Sequence, residues 1–440
     1  YSCVPGPDSI YDGIAKLPPA HYLEIGPDDD AYLSSPRAYW NIAEKARAGR
    51  AVPFSGSAEE AVDALEALMT DAIRIRMMAD VPLGAFLSGG YDSTTVVALM
   101  QSLSARPVRT FSIGFAEADY DEAGYAKRVA AQLGTDHTEL YVSPQDALDQ
   151  LPLLPFHWDE PFADSSQIPT LLVSRLARSA VTVSLSGDAG DELFCGYGRY
   201  QRGHDIWRRL TAVPRPLRRV GGSVLDLARP EGRLGKIADL LGMDHGADFY
   251  RMMVSHSRAP EKLVLGAREL PTALTGRDLD WLDDGDFRDY AMYFDMLTYL
   301  PDDILVKLDR ASMAVSLESR VPMLDHRIVE FALGLPLSIK VRGAQTKWPL
   351  RQILYRHVPA EMMERPKMGF GVPIDSWLRG PLRGWAQDLL APERLAREGF
   401  FNPEEVNRLW ADVLAGRGLR HFNLWGILMF QAWFDARSAS

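Results

Sequence analysis

The sequence predicts an α/β protein built on a doubly wound parallel sheet, with a mainly helical C-terminal part and a short β segment at its start. Three observations carry that prediction. Between residues 57 and 185, stretches of helical periodicity alternate with short β-rich runs, the pattern that strand–helix–strand units require. Two of those runs, ending near Leu87 and Leu185, stop at a serine followed by glycine. Beyond residue 200 the apolar spacing becomes helical almost throughout.

The elements follow in order. In residues 1–40, Pro5, Gly6, Pro7, Asp8 and the pair Pro18-Pro19 break the chain into short segments such as 21–25, which read as strands and turns. The stretch 49–56, with Pro53 and Ser55, reads as a linker, so the domain boundary is expected between a segment 1–50 and a unit 57–440. Ser57 and Glu60 have the spacing of a capping box, and Ala61, Leu65, Leu68, Ala72 and Ile75 recur as the apolar stripe of the helix that follows. Strands are predicted over 84–87, 108–115, 138–142 and 181–185, and helices from the turn after Leu87 to about 102, over 121–133 and over 165–179. In such sheets ligands sit at the carboxyl ends of the strands, where both glycine-bearing turns fall.

Composition narrows the function. The 440 residues carry a net charge of −11, which argues against non-specific nucleic-acid binding. The basic stretch 207–236 intersperses its arginines with Leu, Val and Ala, as exposed faces of amphipathic helices do. Two cysteines, Cys3 and Cys195, exclude a disulfide framework and a cysteine-rich metal site. The apolar run 424–434 is too short to span a membrane and contains Gly426 and Gln431. No signal-peptide pattern is present, and a cytoplasmic enzyme is the expectation. Because the first residue is Tyr1 rather than Met, a preceding segment is also expected.

The turn Leu87-Ser88-Gly89-Gly90-Tyr91-Asp92-Ser93-Thr94 carries the chemistry. Its glycines let the backbone turn tightly against a ligand, and Ser93 and Thr94 bring hydroxyls to a helix N-terminus that favours an anion. No lysine follows the glycines, so this is not the familiar P-loop. Asp92 would repel phosphate unless a cation bridged them, which points to Mg²⁺ with a polyphosphate, most simply ATP. The second turn is Ser186-Gly187-Asp188-Ala189-Gly190-Asp191-Glu192-Leu193-Phe194. Alone it could be a solvated acidic loop; beside the first turn, Asp92 and Asp191 could share the metal. A third block, 307–313 with 317–325, alternates charges among apolar residues and predicts a buried ionic network of Asp309, Arg310 and Arg320. A fourth holds Thr346-Lys347 and Leu350-Arg351, then Arg365-Pro366-Lys367-Met368-Gly369-Phe370-Gly371, where Pro366 and Gly369 put Lys367 on a loop.

Taken in order, S-G-G-x-D-S, S-G-D-x-G-D-E-L-F, K-x-D-R-A-S-M…L-E-x-R-x-P-x-L-D and R-P-K-x-G-F resemble the synthetase domain of glutamine-dependent asparagine synthetases, class B, over roughly residues 80–380. The resemblance implies a sheet of the adenine-nucleotide (PP-loop) type. It implies ATP-dependent conversion of L-aspartate to L-asparagine through β-aspartyl-AMP, with ammonia, normally from glutamine, as nitrogen donor. On that pattern Ser88, Gly89, Gly90, Asp92, Ser93 and Thr94 belong to pyrophosphate and Mg²⁺, with Asp191 as the second carboxylate. Lys367 matches the family's essential lysine, and Asp188 could accept a proton from the attacking ammonia. Phe86, Leu87, Ile113, Ser186 and Gly187 would frame adenine and ribose, largely through backbone, while Lys347 and Arg310 would reach phosphate or substrate. The opening 4–22 resembles the last strands of the family's glutaminase domain, so 1–50 reads as its end plus a linker. The nucleophilic cysteine of that domain has no counterpart here, and glutaminase activity is expected to be missing from this chain. A glutaminase domain upstream is the implied partner, and the resemblance leaves room for a homodimer. Relatives on the same scaffold amidate other carboxylates or close rings (β-lactam synthetase, lasso-peptide cyclase, sugar-acid amidotransferase), and the acceptor stays open. Three positions depart from the pattern: Tyr91 where Leu is usual, and Ala189 and Cys195 where Gly is usual. Ala189 would be costly only if its φ is positive.

Overall fold

The structure, a computed structural model, describes residues 1–27, 35–115, 122–227, 233–257, 259–268, 272–273, 285–364, 371–417 and 421–438. Near the start, β1 (His21–Tyr22) and β2 (Arg37–Ala38) form a small antiparallel ribbon. The helix α1 (Ile42–Ala51) follows, capped by Asn41, whose side chain accepts from the amides of Ala43 and Glu44. It occupies the first residues of the stretch expected to be a linker. The capping box is present as predicted: Ser57 N donates to Glu60 Oε2 at 2.7 Å and Glu60 N to Ser57 Oγ at 3.1 Å, opening α2 (Ala58–Arg76). Ala61, Leu65 and Ala72 are buried along α2, whereas Ile75 is 41 % exposed because the stripe runs off the core at the last turn.

Five parallel strands make the central sheet: β3 (Leu83–Phe86), β4 (Arg109–Phe115), β5 (Asp136–Val142), β6 (Val183–Leu185) and β7 (Glu318–Arg320). The first four match the predicted strands to within two residues. Between them lie α3 (Tyr91–Leu103), α4 (Ala123–Leu133) and α5 (Gln167–Arg178). The strand order is β5-β4-β3-β6-β7. The chain therefore builds outward from β3 to β5, then returns to lay β6 on the other side of β3. That reversal opens a crevice beyond the carboxyl ends of β3 and β6, where open parallel sheets bind ligands.

The strand β7 has no counterpart in the sequence prediction. Glu318-Ser319-Arg320 shows no apolar alternation; backbone pairing holds it, with Glu318 N donating to Thr182 O at 2.9 Å and Ser186 N to Arg320 O at 2.8 Å. The ionic network expected around it is also different. Asp309 and Arg310 are exposed, and Arg310 pairs with the still more open Asp159 at 2.5 Å. The buried members are Lys307, paired with Asp164, and Asp325, paired with the part-exposed Arg76 and Arg327. In the basic stretch, Arg218 is only 2 % exposed and donates to the Val213 and Met243 carbonyls, so it does not lie on an open helix face. The C-terminal helix His421–Ser438 buries Leu424, Trp425, Ile427, Leu428 and Trp433 in the core. Among the described residues, no helix is long and apolar enough to cross a membrane.

Asp325 joins α2 to the helix His326–Gly334. It caps that helix through Arg327 N, takes Arg327 Nε and Nη2 at 2.9 Å each, and takes Arg76 Nη1 at 3.0 Å. The Arg327 hydrogen bonds hold its carboxyl well below the usual carboxylate range against the opposing effect of burial. A carboxylate depressed in the folded state contributes fully above its unfolded value near 4 and loses that contribution as pH falls. We predict that Asp325→Asn lowers stability at pH 7 by about 1–2 kcal/mol, a figure kept small by the partial exposure of Arg327. The gap between parent and variant in urea unfolding should close as pH falls from 5 towards 2; a constant gap contradicts the assignment.

Candidate functional site

The crevice at the reversal is lined by the two predicted turns. Strand β3 ends at Phe86, and the next residue, Leu87, donates its amide to Phe111 O at 2.9 Å. Gly89 has φ +72°, and a side chain there would approach Ala126 N to 2.9 Å, so glycine is required on both grounds. Ser88 and Ser93 close the turn: Ser88 N donates to Ser93 Oγ at 3.2 Å, Gly90 N to Ser88 Oγ at 3.3 Å, and the two hydroxyls are 3.0 Å apart. No side chain caps α3 at Gly90, and a helix start of that kind suits water or an anion. Thr94 is wholly buried, and among the described residues its hydroxyl has no hydrogen-bond partner.

Beyond β6 the second turn folds against the first. A side chain on Gly187 would come within 2.5 Å of Ser93 N, and one on Gly190 within 2.5 Å of Asp92 Cγ. The Ser186 hydroxyl donates to Asp188 Oδ2. Ala189 has φ +75°, so the condition under which alanine is strained at this position is met. The short helix Gly190–Leu193 then presents Asp191 and Glu192.

A third segment completes the site. Lys347 precedes the helix Trp348–Leu354 with φ +53°, and its amide donates to Phe194 O at 3.0 Å. Its side chain is 7 % exposed, and its ammonium bonds Asp92 Oδ2 on one side and Asp191 Oδ1 on the other, the latter at 2.7 Å. Burial alone would lower the lysine's pKa, but Asp191 and Asp92 outweigh it and hold the group above its ordinary range. Gly196 makes this approach possible, because a Cβ there would fall 1.9 Å from Lys347 Cε and 2.0 Å from Asp191 Oδ1.

Neighbouring groups extend the charge pattern. Burial raises the Asp188 carboxyl, while the Ser186 hydroxyl and the Lys307 ammonium act against the rise. Lys307 Nζ is itself held at 2.8 Å by both Asp164 Oδ2 and Ser166 Oγ. Glu192 is buried, accepts the Tyr197 hydroxyl at 2.7 Å, and is pushed up to about 8 by burial and by Asp191.

Of the predicted residues, Ser88, Gly89, Gly90, Asp92, Ser93, Ser186, Gly187, Asp188, Asp191 and Lys347 all lie on these three segments. Phe86 ends β3, while Leu87 and Ile113 have their side chains in the core at 1 % and 4 % exposure, leaving only backbone to meet a ligand. Arg310 sits on the surface with Asp159. Lys367 lies outside the described residues. Sequence reasoning missed Gly196, whose signal was its place four residues after Glu192, and missed Lys347 as the charge between the two aspartates.

The donor set fits Mg²⁺ bound to a polyphosphate. Two hard carboxylates from different turns converge on one cation, here the lysine ammonium. Among the described residues no cluster of three or more His, Cys, Asp or Glu could hold a metal, so the remaining ligands would come from phosphate and water, as Mg²⁺ prefers.

A parallel sheet with a glycine turn and an acidic turn meeting at its reversal places the molecule in the PP-loop class of adenine-nucleotide folds. The asparagine synthase family model matches residues 64–435, and the chain belongs to that family. It is 29 % identical over 442 residues to asparagine synthetase [glutamine-hydrolyzing] 1 of Bacillus subtilis, covering 98 % of this chain and 67 % of that protein. With a putative asparagine synthetase [glutamine-hydrolyzing] of Mycobacterium tuberculosis it shares 33 % identity, over 98 % of this chain and 65 % of the relative. A Penicillium rubens protein named an amidase is 23 % identical over 89 % of this chain and 63 % of its own length. The chain thus spans about two thirds of the length of these relatives.

Three substitutions test the packing. Gly196→Ala should cost about 2 kcal/mol by forcing Lys347 from Asp191, whereas Gly198→Ala, with open space around it, should be neutral. Equal urea midpoints for the two variants would contradict the close approach. Ala189→Gly should stabilise by about 0.5–1 kcal/mol, since relief of the left-handed conformation exceeds the added chain entropy; a destabilised variant would contradict it.

Proposed function

We propose that residues 57–440 are the amide-forming unit of an asparagine synthetase and that residues 1–50 are the end of its glutaminase domain with a linker. The unit uses ATP to activate the side-chain carboxylate of L-aspartate and passes the acyl group to ammonia. The observation that carries this reading is the convergence of Asp92 and Asp191, from two turns at the sheet reversal, on one buried cation.

A carboxylate is a poor electrophile, and ammonia cannot displace oxide from it. Attack of that carboxylate on the α-phosphorus of ATP expels pyrophosphate and gives β-aspartyl-AMP. Ammonia then adds to the acyl carbon, and AMP leaves with the carboxylate oxygen. Such a path demands positioning and charge neutralisation more than covalent help. Backbone amides and hydroxyls of Ser88, Gly89, Gly90, Ser93 and Thr94 are assigned to the pyrophosphate. Asp92 and Asp191 would hold Mg²⁺, which offsets polyphosphate charge when bound. Lys347 adds a fixed positive charge beside them, and Lys367 is assigned to the transferring phosphate. Phe86, Leu87, Ile113, Ser186 and Gly187 frame the nucleoside. Asp188, whose carboxyl is raised, accepts the proton that the attacking ammonia must lose. Glutamine-derived ammonia, a glutaminase partner domain, a homodimer and a cytoplasmic setting complete the proposal. A second reading, amidation of a different carboxylate on the same machinery, takes support from the relative named an amidase.

Incubation with ATP, Mg²⁺, ammonium and a panel of carboxylates, with mass detection of products, separates the two readings. AMP, pyrophosphate and asparagine should appear together with aspartate; turnover only with another acceptor would favour the second. Lys367→Ala should keep ATP binding while amide formation falls at least about 100-fold, and near-normal turnover would remove Lys367 from its role. Asp92→Asn should raise the Mg²⁺ concentration needed for pyrophosphate release, and an unchanged requirement would remove Asp92 from the metal.

A further inference from the structure

Beside Asp92, the nucleotide turn carries an aromatic hydroxyl that the proposed chemistry does not use. Tyr91 is the first residue of α3, and the guanidinium of Arg351 lies 3.9 Å above its ring. The Tyr91 hydroxyl accepts from Arg351 Nη1 and donates to the Met363 carbonyl at 3.1 Å, with the Tyr355 hydroxyl 3.4 Å away. Arg351 stands one helical turn after Lys347. Its Nε donates to Thr346 O at 2.7 Å and its backbone amide to Lys347 O at 3.0 Å, so it binds the carbonyls on both sides of Lys347 Cα.

Those ties matter because Lys347 holds a left-handed backbone, φ +53°, which costs a non-glycine residue about 1–2 kcal/mol and persists only where neighbours over-determine it. One tie runs to the second turn, through Lys347 N and Phe194 O. The other runs to the first turn, through Arg351 and Tyr91. We infer that Tyr91 and Arg351 are positioning residues that fix the Lys347 ammonium between Asp92 and Asp191 and thereby set the affinity of the site for a nucleoside polyphosphate. The inference rests on the proposed role of Lys347 in polyphosphate binding.

A double-mutant cycle read by calorimetric titration with ATP and Mg²⁺ tests it without relying on turnover. Tyr91→Phe keeps the ring over which Arg351 lies and removes only the hydroxyl; Arg351→Lys keeps the charge and loses the fork. Each should weaken ATP binding about tenfold, the size expected for a hydrogen bond to a charged group. In a Lys347→Ala background the same changes should add less than about twofold, because their effect runs through the lysine. Unchanged affinity in both single variants, or an equal loss with and without Lys347, would overturn the inference while leaving the functional reading intact. Unchanged affinity in Lys347→Ala itself would overturn the inference together with the assigned role of that lysine.

Discussion

One buried ammonium, Lys347 Nζ, held between Asp92 and Asp191, organises the carboxyl end of the sheet. Bringing two carboxylates together without a cation is unfavourable, and burying a lysine without partners is worse. Together they are tolerable, and their geometry dictates the surroundings. Gly190 and Gly196 must lack side chains because Asp92, Asp191 and Lys347 occupy that space, and Gly187 must let the second turn rest on the amide of Ser93. The left-handed backbones at Ala189 and Lys347 are strain accepted for the same convergence. Buried ion pairs seldom add net stability, so this cluster is better understood as a site than as a staple.

The sheet explains why the cluster lies where it does. A strand order that reverses between β3 and β6 leaves their outgoing turns side by side, with no intervening strand. In an acidic protein of net charge −11, these turns gather one buried ammonium and two carboxylates, a set still net negative, which suits a further cation more than a bare anion. Lys307, bound by Asp164 and Ser166, adds a second buried ammonium whose charge acts on Asp188.

Much of this was legible in the sequence because the turns carry their own chemistry. Glycines, hydroxyls and carboxylates at the ends of β-rich runs located both loops, and Ser57 with Glu60 announced α2. What escaped depends on long-range pairing. Nothing local to Lys347 says that it will sit between aspartates 255 and 156 residues earlier in the chain. Strand β7 is defined by backbone partners rather than by an apolar pattern. Arg218 shares the pattern of an exposed helix face, and its burial depends on the Val213 and Met243 carbonyls that accept from it. The helix Ile42–Ala51 carries a local signature, with Asn41 a good cap and Glu44 suited to the first turn, but its last turn runs into the stretch 49–56 that reads as a linker.

In the reaction we propose, a carboxylate oxygen attacks the α-phosphorus of ATP. Aspartate labelled with ¹⁸O in its side-chain carboxylate tests this most directly, in a reaction with ATP, Mg²⁺ and ammonium followed by mass analysis of the nucleotide. The account predicts AMP carrying one ¹⁸O, because the attacking oxygen stays with phosphorus when ammonia displaces AMP. Unlabelled AMP, or label in inorganic phosphate beside ADP, would contradict it.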